Sequence, residues 1–193
     1  MAHLTRNDLY SLEKYEEIRP AFRAEVIAHK KHRRVPLGDH AALYFESALT
    51  MQYQVQEMLR IERIFEATGI QEELDVYNPL IPDGNNWKAT FMLEYPSEAE
   101  RRQALAQLVG IEERIWVQVA GHDRVFAIAN EDLPRSTADK TASVHFLRFD
   151  LDDAMVAAAK GGARITAGIS HPRYEATANL PEDVRSSLAG DLA

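Results

Sequence analysis

With no cysteine in the chain, thiol chemistry is excluded, and the candidates for acid/base or metal chemistry are first of all its acids and histidines. The densest such grouping on one segment is Glu57, Arg60 and Glu62. It lies in S-A-L-T-M-Q-Y-Q-V-Q-E-M-L-R-I-E-R-I-F-E-A-T-G, from Ser47 to Gly69. Projected at about 100° per residue, Met51, Val55, Met58, Ile61 and Phe65 form one broad apolar face, and Gln52, Gln56, Arg60 and Arg63 a narrow wet stripe. Glu62 falls beside Val55 and Met58, and Glu57 falls between Ile61 and Ile64. A carboxylate buried without a partner costs several kcal/mol or takes up a proton. Each acid therefore needs an arginine, a histidine, a metal or water. One reading is a structural ion pair to an arginine of a neighbouring element; the other is a metal or acid/base carboxylate.

A second grouping is H-K-K-H-R-R, His29 to Arg34. His29 and His32, three apart, share one side of a helix and could hold a metal, or an anion together with Lys30, Arg33 and Arg34. Cations in a last helical turn also complement the helix dipole from a solvated face. The other histidines, at 3, 40, 122, 145 and 171, are dispersed. Signatures that would settle a reaction are missing: there is no phosphate loop, dinucleotide fingerprint, H-E-x-x-H or G-x-S-x-G. The E-x-x-H pair of diiron bundles is missing from the central segment too, since Arg60 stands three places after Glu57. Without cysteine, disulfides and cysteine-ligated iron-sulfur or zinc sites are excluded within this chain.

The elements that must position these groups are legible in turn. Thr5 and Asp8 predict a capped helix from about Arg6 to Glu17, and Pro20 restarts the chain into a second helix ending near His32. Arg34 to Leu37 and His40 to Glu46 read as a hairpin over Gly38-Asp39. It delivers the chain into the long segment, capped by Ser47 and closed by Gly69, which is expected to be covered on most sides as the buried centre of the fold. After a short helical turn near Gln71 to Val76 and the loop Asn78 to Asn86, Trp87 to Tyr95 alternates strictly: Trp87, Ala89, Phe91 and Leu93 oppose Lys88, Thr90, Met92 and Glu94. Ser97 and Glu100 open a helix that Gly110 closes. Strands follow at Ile115 to Val119, Arg124 to Ala129 and Ser143 to Phe149, with the polar stretch Asn130 to Ala142 between the last two as a candidate lid. In Ser143 to Phe149 one face carries His145 and the other Arg148, and Arg148 is favoured as partner for Glu57 or Glu62. A helix to about Lys160 and a strand from Ala163 to Ser170 complete the set. The pattern is α+β, a mainly antiparallel sheet packed against helices, with 1–172 as a single domain and 173–193 as a polar C-terminal tail.

A net charge of −8 argues against nucleic acid as a partner. No secretory segment follows Met1 and no apolar run approaches the ~20 residues of a membrane span. A cytoplasmic protein is therefore expected, with homo-oligomerisation through an exposed sheet edge open to it.

The stretches I-R-P-A-F-R near Ile18, I-A-H-K-K-H-R-R near Ile27, Q-V-Q-E-M-L-R-I-E-R-I-F, Y-N-P-L-I-P at Tyr77 and L-V-G-I-E at Leu108 are long and specific. Through them the chain resembles a bacterial family catalogued as a domain of unknown function. The resemblance implies an encoded neighbourhood of rubrerythrin-like proteins and iron-sulfur oxidoreductase subunits. From it follows the expectation of an accessory or binding protein serving a redox or peroxide-defence system and docking on such a partner. The alternative is a small metal-binding protein or enzyme that uses Glu57 and Glu62 with Arg60 or a histidine such as His29 or His32.

Overall fold

The computed structural model describes residues 3–193. Its helices are α1 (Leu12–Lys31), α2 (Ala48–Glu62), α3 (Ala67–Tyr77), α4 (Glu98–Gln107), α5 (Asp153–Lys160) and α6 (Glu182–Ala189). Its strands are β1 (Arg34–Pro36), β2 (Ala41–Phe45), β3 (Asn86–Leu93), β4 (Ile115–Val119), β5 (Val125–Phe126), β6 (Ile128–Ala129), β7 (Val144–Asp150), β8 (Ile165–His171) and β9 (Tyr174–Asn179). The α+β expectation holds, but the sheet is two sheets: β1-β2-β3-β7-β6 and β5-β4-β8-β9, each antiparallel throughout. The stretch read as one strand from Arg124 is divided between them. Val125 and Phe126 pair with β4, and Ile128 and Ala129 with β7, so the chain changes sheets across Ala127.

Period-two alternation sends Leu43, Phe45, Trp87, Phe91, Leu147 and Phe149 from the first sheet inward, and Ile115, Val117, Ala167 and Ile169 from the second to meet them. This shared interior is the main core, and α2 is not part of it. Val55 and Leu59 of α2 pack instead with Leu74 of α3, and its Leu49 and Tyr53 with Tyr15, Phe22 and Val26 of α1. The three helices thus form a layer with small apolar cores of its own, lying over the outer face of the first sheet.

The long segment is also shorter than its periodicity suggests. Ser47 caps it as expected, its Oγ accepting from the Thr50 amide while the Thr50 hydroxyl accepts from the Ser47 amide. It stops at Glu62 because Arg63 takes the left-handed conformation, φ 55°, that closes the helix. Gly69 lies within α3, and a Cβ there would stand 2.7 Å from the Ile64 side chain, so the glycine permits the close α2–α3 corner. That break turns Ile61 and Phe65 out to solvent. The expected wet stripe is covered in part: Gln56 is fully buried, exchanging hydrogen bonds with the Tyr10 backbone, and Gln52 donates to the Asp8 carbonyl, while Arg63 stays exposed.

Toward the N-terminus, the two expected helices are one. Pro20 lies inside α1, where it removes one hydrogen bond at a cost of about 3 kcal/mol. The packing of Tyr15, Phe22 and Val26 on either side of it holds the helix continuous. The expected polar tail, 173–193, is a correction. Tyr174, Ala176 and Ala178 of β9 pack against the core, Leu180, Val184, Leu188 and Leu192 are buried in it, and Trp87 Nε1 donates to the Leu188 carbonyl at 3.0 Å. Among the described residues no helix is long and apolar enough to cross a membrane.

Candidate functional site: a groove under the helical layer

The acids of α2 do not converge. Glu57 accepts from Arg19 Nε and Nη2 at 2.7 and 2.8 Å and from the Tyr15 hydroxyl at 2.7 Å. The Arg19 guanidinium holds the Glu57 carboxyl below the usual range, against a smaller upward push from burial. This is a structural ion pair that ties α1 to α2. Glu62, placed by periodicity in the apolar arc, is exposed because it is the last residue of the helix. Arg60 donates to Glu16 at 2.8 Å. Arg148, the favoured partner, lies on the opposite side of its strand from the core, where it grips Glu131 with two 2.8 Å bonds and also pairs with Asp150. It is the His145 face of β7 that is buried.

The H-K-K-H-R-R run is splayed in the same way. His29 Nε2 sits 2.9 Å from Ser47 Oγ, and burial pushes its pKa down. His32 Nδ1 meets Asp183 at 2.7 Å, at the start of α6. Arg33 is 2% exposed; it donates to the carbonyls of Phe45 and Glu46 and to Ser187 Oγ, and forms an ion pair with Asp191. Burial drives the Asp191 carboxyl upward, and Arg33 pulls it back. The run therefore distributes its side chains to three elements. Among the described residues no three His, Asp or Glu groups come together in a way that could hold a metal.

Two arrangements were not foreseen. The first is a buried network under the loop 130–142. Asn130 Oδ1 accepts from the Phe146 amide, which leaves its Nδ2 to donate to His145 Nδ1 at 2.9 Å. The imidazole proton is then on Nε2, which faces the Ala142 carbonyl at 3.0 Å and Thr141 Oγ1 at 2.9 Å. The hydroxyls of Thr141 and Ser136 both donate to Glu112. Burial holds the His145 pKa low, consistent with a neutral ring. A nucleophile needs a base that accepts its proton. Here Nε2 is a donor and both hydroxyls are committed to Glu112, so the network ties the loop to the sheet and has no activated nucleophile.

The second is a groove between the helical layer and the outer face of the first sheet. One end, about 530 Å³, lies between α2 and the strands β2, β3 and β7. The other, about 480 Å³, lies between the end of α3 and the loop after β6. Both are lined by Tyr77, Leu80 and Phe146, so they adjoin at these three side chains. The floor of the groove is the face that strand alternation marked as the wetter one: Thr90 and Met92 from β3, Val144 and Phe146 from β7. The exposed side chains of Val76 and Leu133 stand at the second end.

Polar groups punctuate this apolar lining. At the first end Tyr44 donates to Glu94 at 2.5 Å, and Arg34 pairs with the same carboxylate. Glu46, 9% exposed, accepts only from the hydroxyls of Thr50 and Thr90, at 2.7 and 2.6 Å. Gln54 and Tyr77 line the same end, with their side-chain polar atoms open to solvent and not bonded to any described residue. At the second end three charge pairs are matched internally, Lys88 with Asp83, Arg148 with Glu131 and Arg135 with Asp132, while Asp75 accepts from the Gln71 side-chain amide.

The fold and site define a two-sheet α+β protein with a helix-roofed groove on one sheet. The chain belongs to the family described as "Protein of unknown function (DUF3501)", whose profile matches residues 3–192. It is similar to a novel protein of unknown function from Burkholderia pseudomallei K96243, known from a crystal structure. The two are 53% identical, the similarity covers 100% of each chain, and the TM-score is 0.94. No curated protein matches this chain.

Proposed function

We propose that the protein is a binding protein that takes a small, elongated ligand in the groove beneath α2 and α3. One observation carries this reading: the hydrogen-bonding side chains of Gln54 and Tyr77, free of partners within the protein, stand over an apolar floor in a groove of ligand-binding size. The other polar clusters described above are closed on themselves, as structural ones are. Docking on a rubrerythrin-like or iron-sulfur partner, with the accessory role that entails, is supported by the family resemblance and is a separate proposal. It is tested by co-purification with such a partner.

The groove reading is tested with N-phenyl-1-naphthylamine, a neutral apolar dye that brightens on leaving water. Saturable binding at one site per chain is expected. Val144→Trp, which fills the floor from a half-buried strand position, should abolish it without loss of the folded signal. Dye binding that survives this filling would place the apolar site elsewhere and remove the basis of the proposal.

A further inference from the structure

Glu46 is the feature of the groove that its structural role leaves unexplained. It follows β2 just before the Ser47 cap, where its backbone already ties it in: its amide donates to the Lys88 carbonyl, and its own carbonyl accepts from Arg33. The carboxylate is turned into the groove and buried beside Met51 and Met92. A carboxylate withdrawn from water normally acquires a counter-charge. Glu94 has Arg34, Asp191 has Arg33 and Glu57 has Arg19, while Glu112, under the loop 130–142, is like Glu46 in being held by two hydroxyls. Glu46 has only two threonine hydroxyls, and no Lys, Arg or His nitrogen of the described residues lies within ion-pair distance. The nearby guanidinium of Arg33 is already matched by Asp191. Lys30, at the same end, is exposed and lies over the Tyr53 ring at 5.9 Å.

The geometry points to a small organic cation as the ligand: a primary ammonium group at Glu46, with an aliphatic or aromatic body along Met92 and Phe146 toward Leu80. This rests on the groove reading and adds the sign of the ligand's charge. The ammonium supplies the missing counter-charge and offers three donors, which the second lone pairs of the Glu46 oxygens and the Gln54 and Tyr77 side chains can accept. A charge-assisted bond of this kind in a largely dry site is a strong one. The three matched pairs at the second end and its apolar lining by Val76, Leu80, Leu133 and Phe146 suit an apolar body.

The test is displacement of N-phenyl-1-naphthylamine by three ligands of one length: octylammonium, 1-octanol and octanoate at pH 7. In the parent protein octylammonium is expected to displace the dye at about tenfold lower concentration than octanol, with octanoate the weakest. Glu46→Gln keeps an acceptor for the threonine hydroxyls; it should bind the dye as the parent does and equalise octylammonium and octanol. Glu94→Gln, which removes an acid already matched by Arg34, should retain the preference. Equal displacement by octylammonium and octanol in the parent, with dye bound normally, overturns the cation while leaving the groove. Loss of the preference in Glu94→Gln but not in Glu46→Gln also overturns it. Failure of the dye to bind at all is the distinct outcome that removes the groove itself.

Discussion

Replacing Asp191 by alanine tests whether the last twenty residues belong to the core. Arg33 is 2% exposed and the Asp191 side chain 8%. Removing the carboxylate leaves a guanidinium that still donates to the Phe45 and Glu46 carbonyls and to Ser187 but has lost its counter-charge. Breaking one side of a buried pair costs about 3–5 kcal/mol. For a chain of this size each kcal/mol lowers the melting temperature by about 2–4 °C, so the expected fall is about 6–20 °C. Urea unfolding at neutral pH is the assay of choice, because urea does not screen the pair as guanidinium would, and its slope reports whether the buried surface has changed. Asp183→Ala gives the contrast: its bond to His32 joins two half-exposed side chains, and it should cost under about 1 kcal/mol. In the double replacement Arg33→Met with Asp191→Ala the loss should be smaller than the sum of the single losses. It should not vanish, because three acceptors lose their donor. If Asp191→Ala costs less than about 1 kcal/mol with an unchanged urea slope, the buried pair is not holding the C-terminus to β1 and β2, and the reasoning is wrong.

Two further outcomes follow from the site. Glu57→Gln should destabilise the protein by about 1–3 kcal/mol by weakening a bidentate, largely buried pair, while Glu62→Gln should fall within about 0.5 kcal/mol of the parent. Equal effects in denaturant titration would show that the two acids are not so differently placed. The second concerns pH: burial lowers the His145 pKa, and that of His29 likewise, so below about pH 6.5 the unfolded chain takes up protons that the folded protein refuses. Stability should therefore decline as pH falls through that value, by up to about 1.4 kcal/mol per pH unit for each group, and His145→Gln should flatten the slope; an unchanged slope in the variant would show His145 is not the group responsible.

What the sequence made legible is what depends on near neighbours along the chain. Ser47 caps α2, Ser97 caps α4 and Gly38 turns the hairpin, because each bond closes within a few residues. Alternation in β3 separated Trp87, Ala89 and Phe91 from Thr90 and Met92, and so marked the face that becomes the groove floor. It could not show that α2 and α3 roof that face, since those contacts join residues far apart in the chain. Periodicity misled where one residue overrides it: Arg63 takes a left-handed conformation that no pattern announces, so Ile61 in the last turn before it and Phe65 beyond it lose the face assigned to them. The C-terminal segment escaped notice for another reason. Its strand face is built from Ala176 and Ala178, small enough to read as polar background, although Leu180, Val184, Leu188 and Leu192 repeat every four residues as a helix stripe should.

The same distinction separates Glu57 and Glu62, which the helical pattern singles out, from Glu46, which no pattern marks. Burial was inferred from helix periodicity, which can speak only for residues within a long regular segment. Glu46 stands at a strand end, next to a cap, where neither period applies. Its setting is made by Thr90, a residue 44 positions away, and by the α2 turn that brings Thr50 back over it. A helix acid such as Glu57 can find an arginine on a neighbouring helix through two flexible side chains. The Glu46 carboxylate is instead fixed between sheet and roof, and the cations closest to it in the fold are already committed elsewhere. If the counter-charge of Glu46 comes with a ligand, the octylammonium comparison bears more directly on function than any substitution in α2.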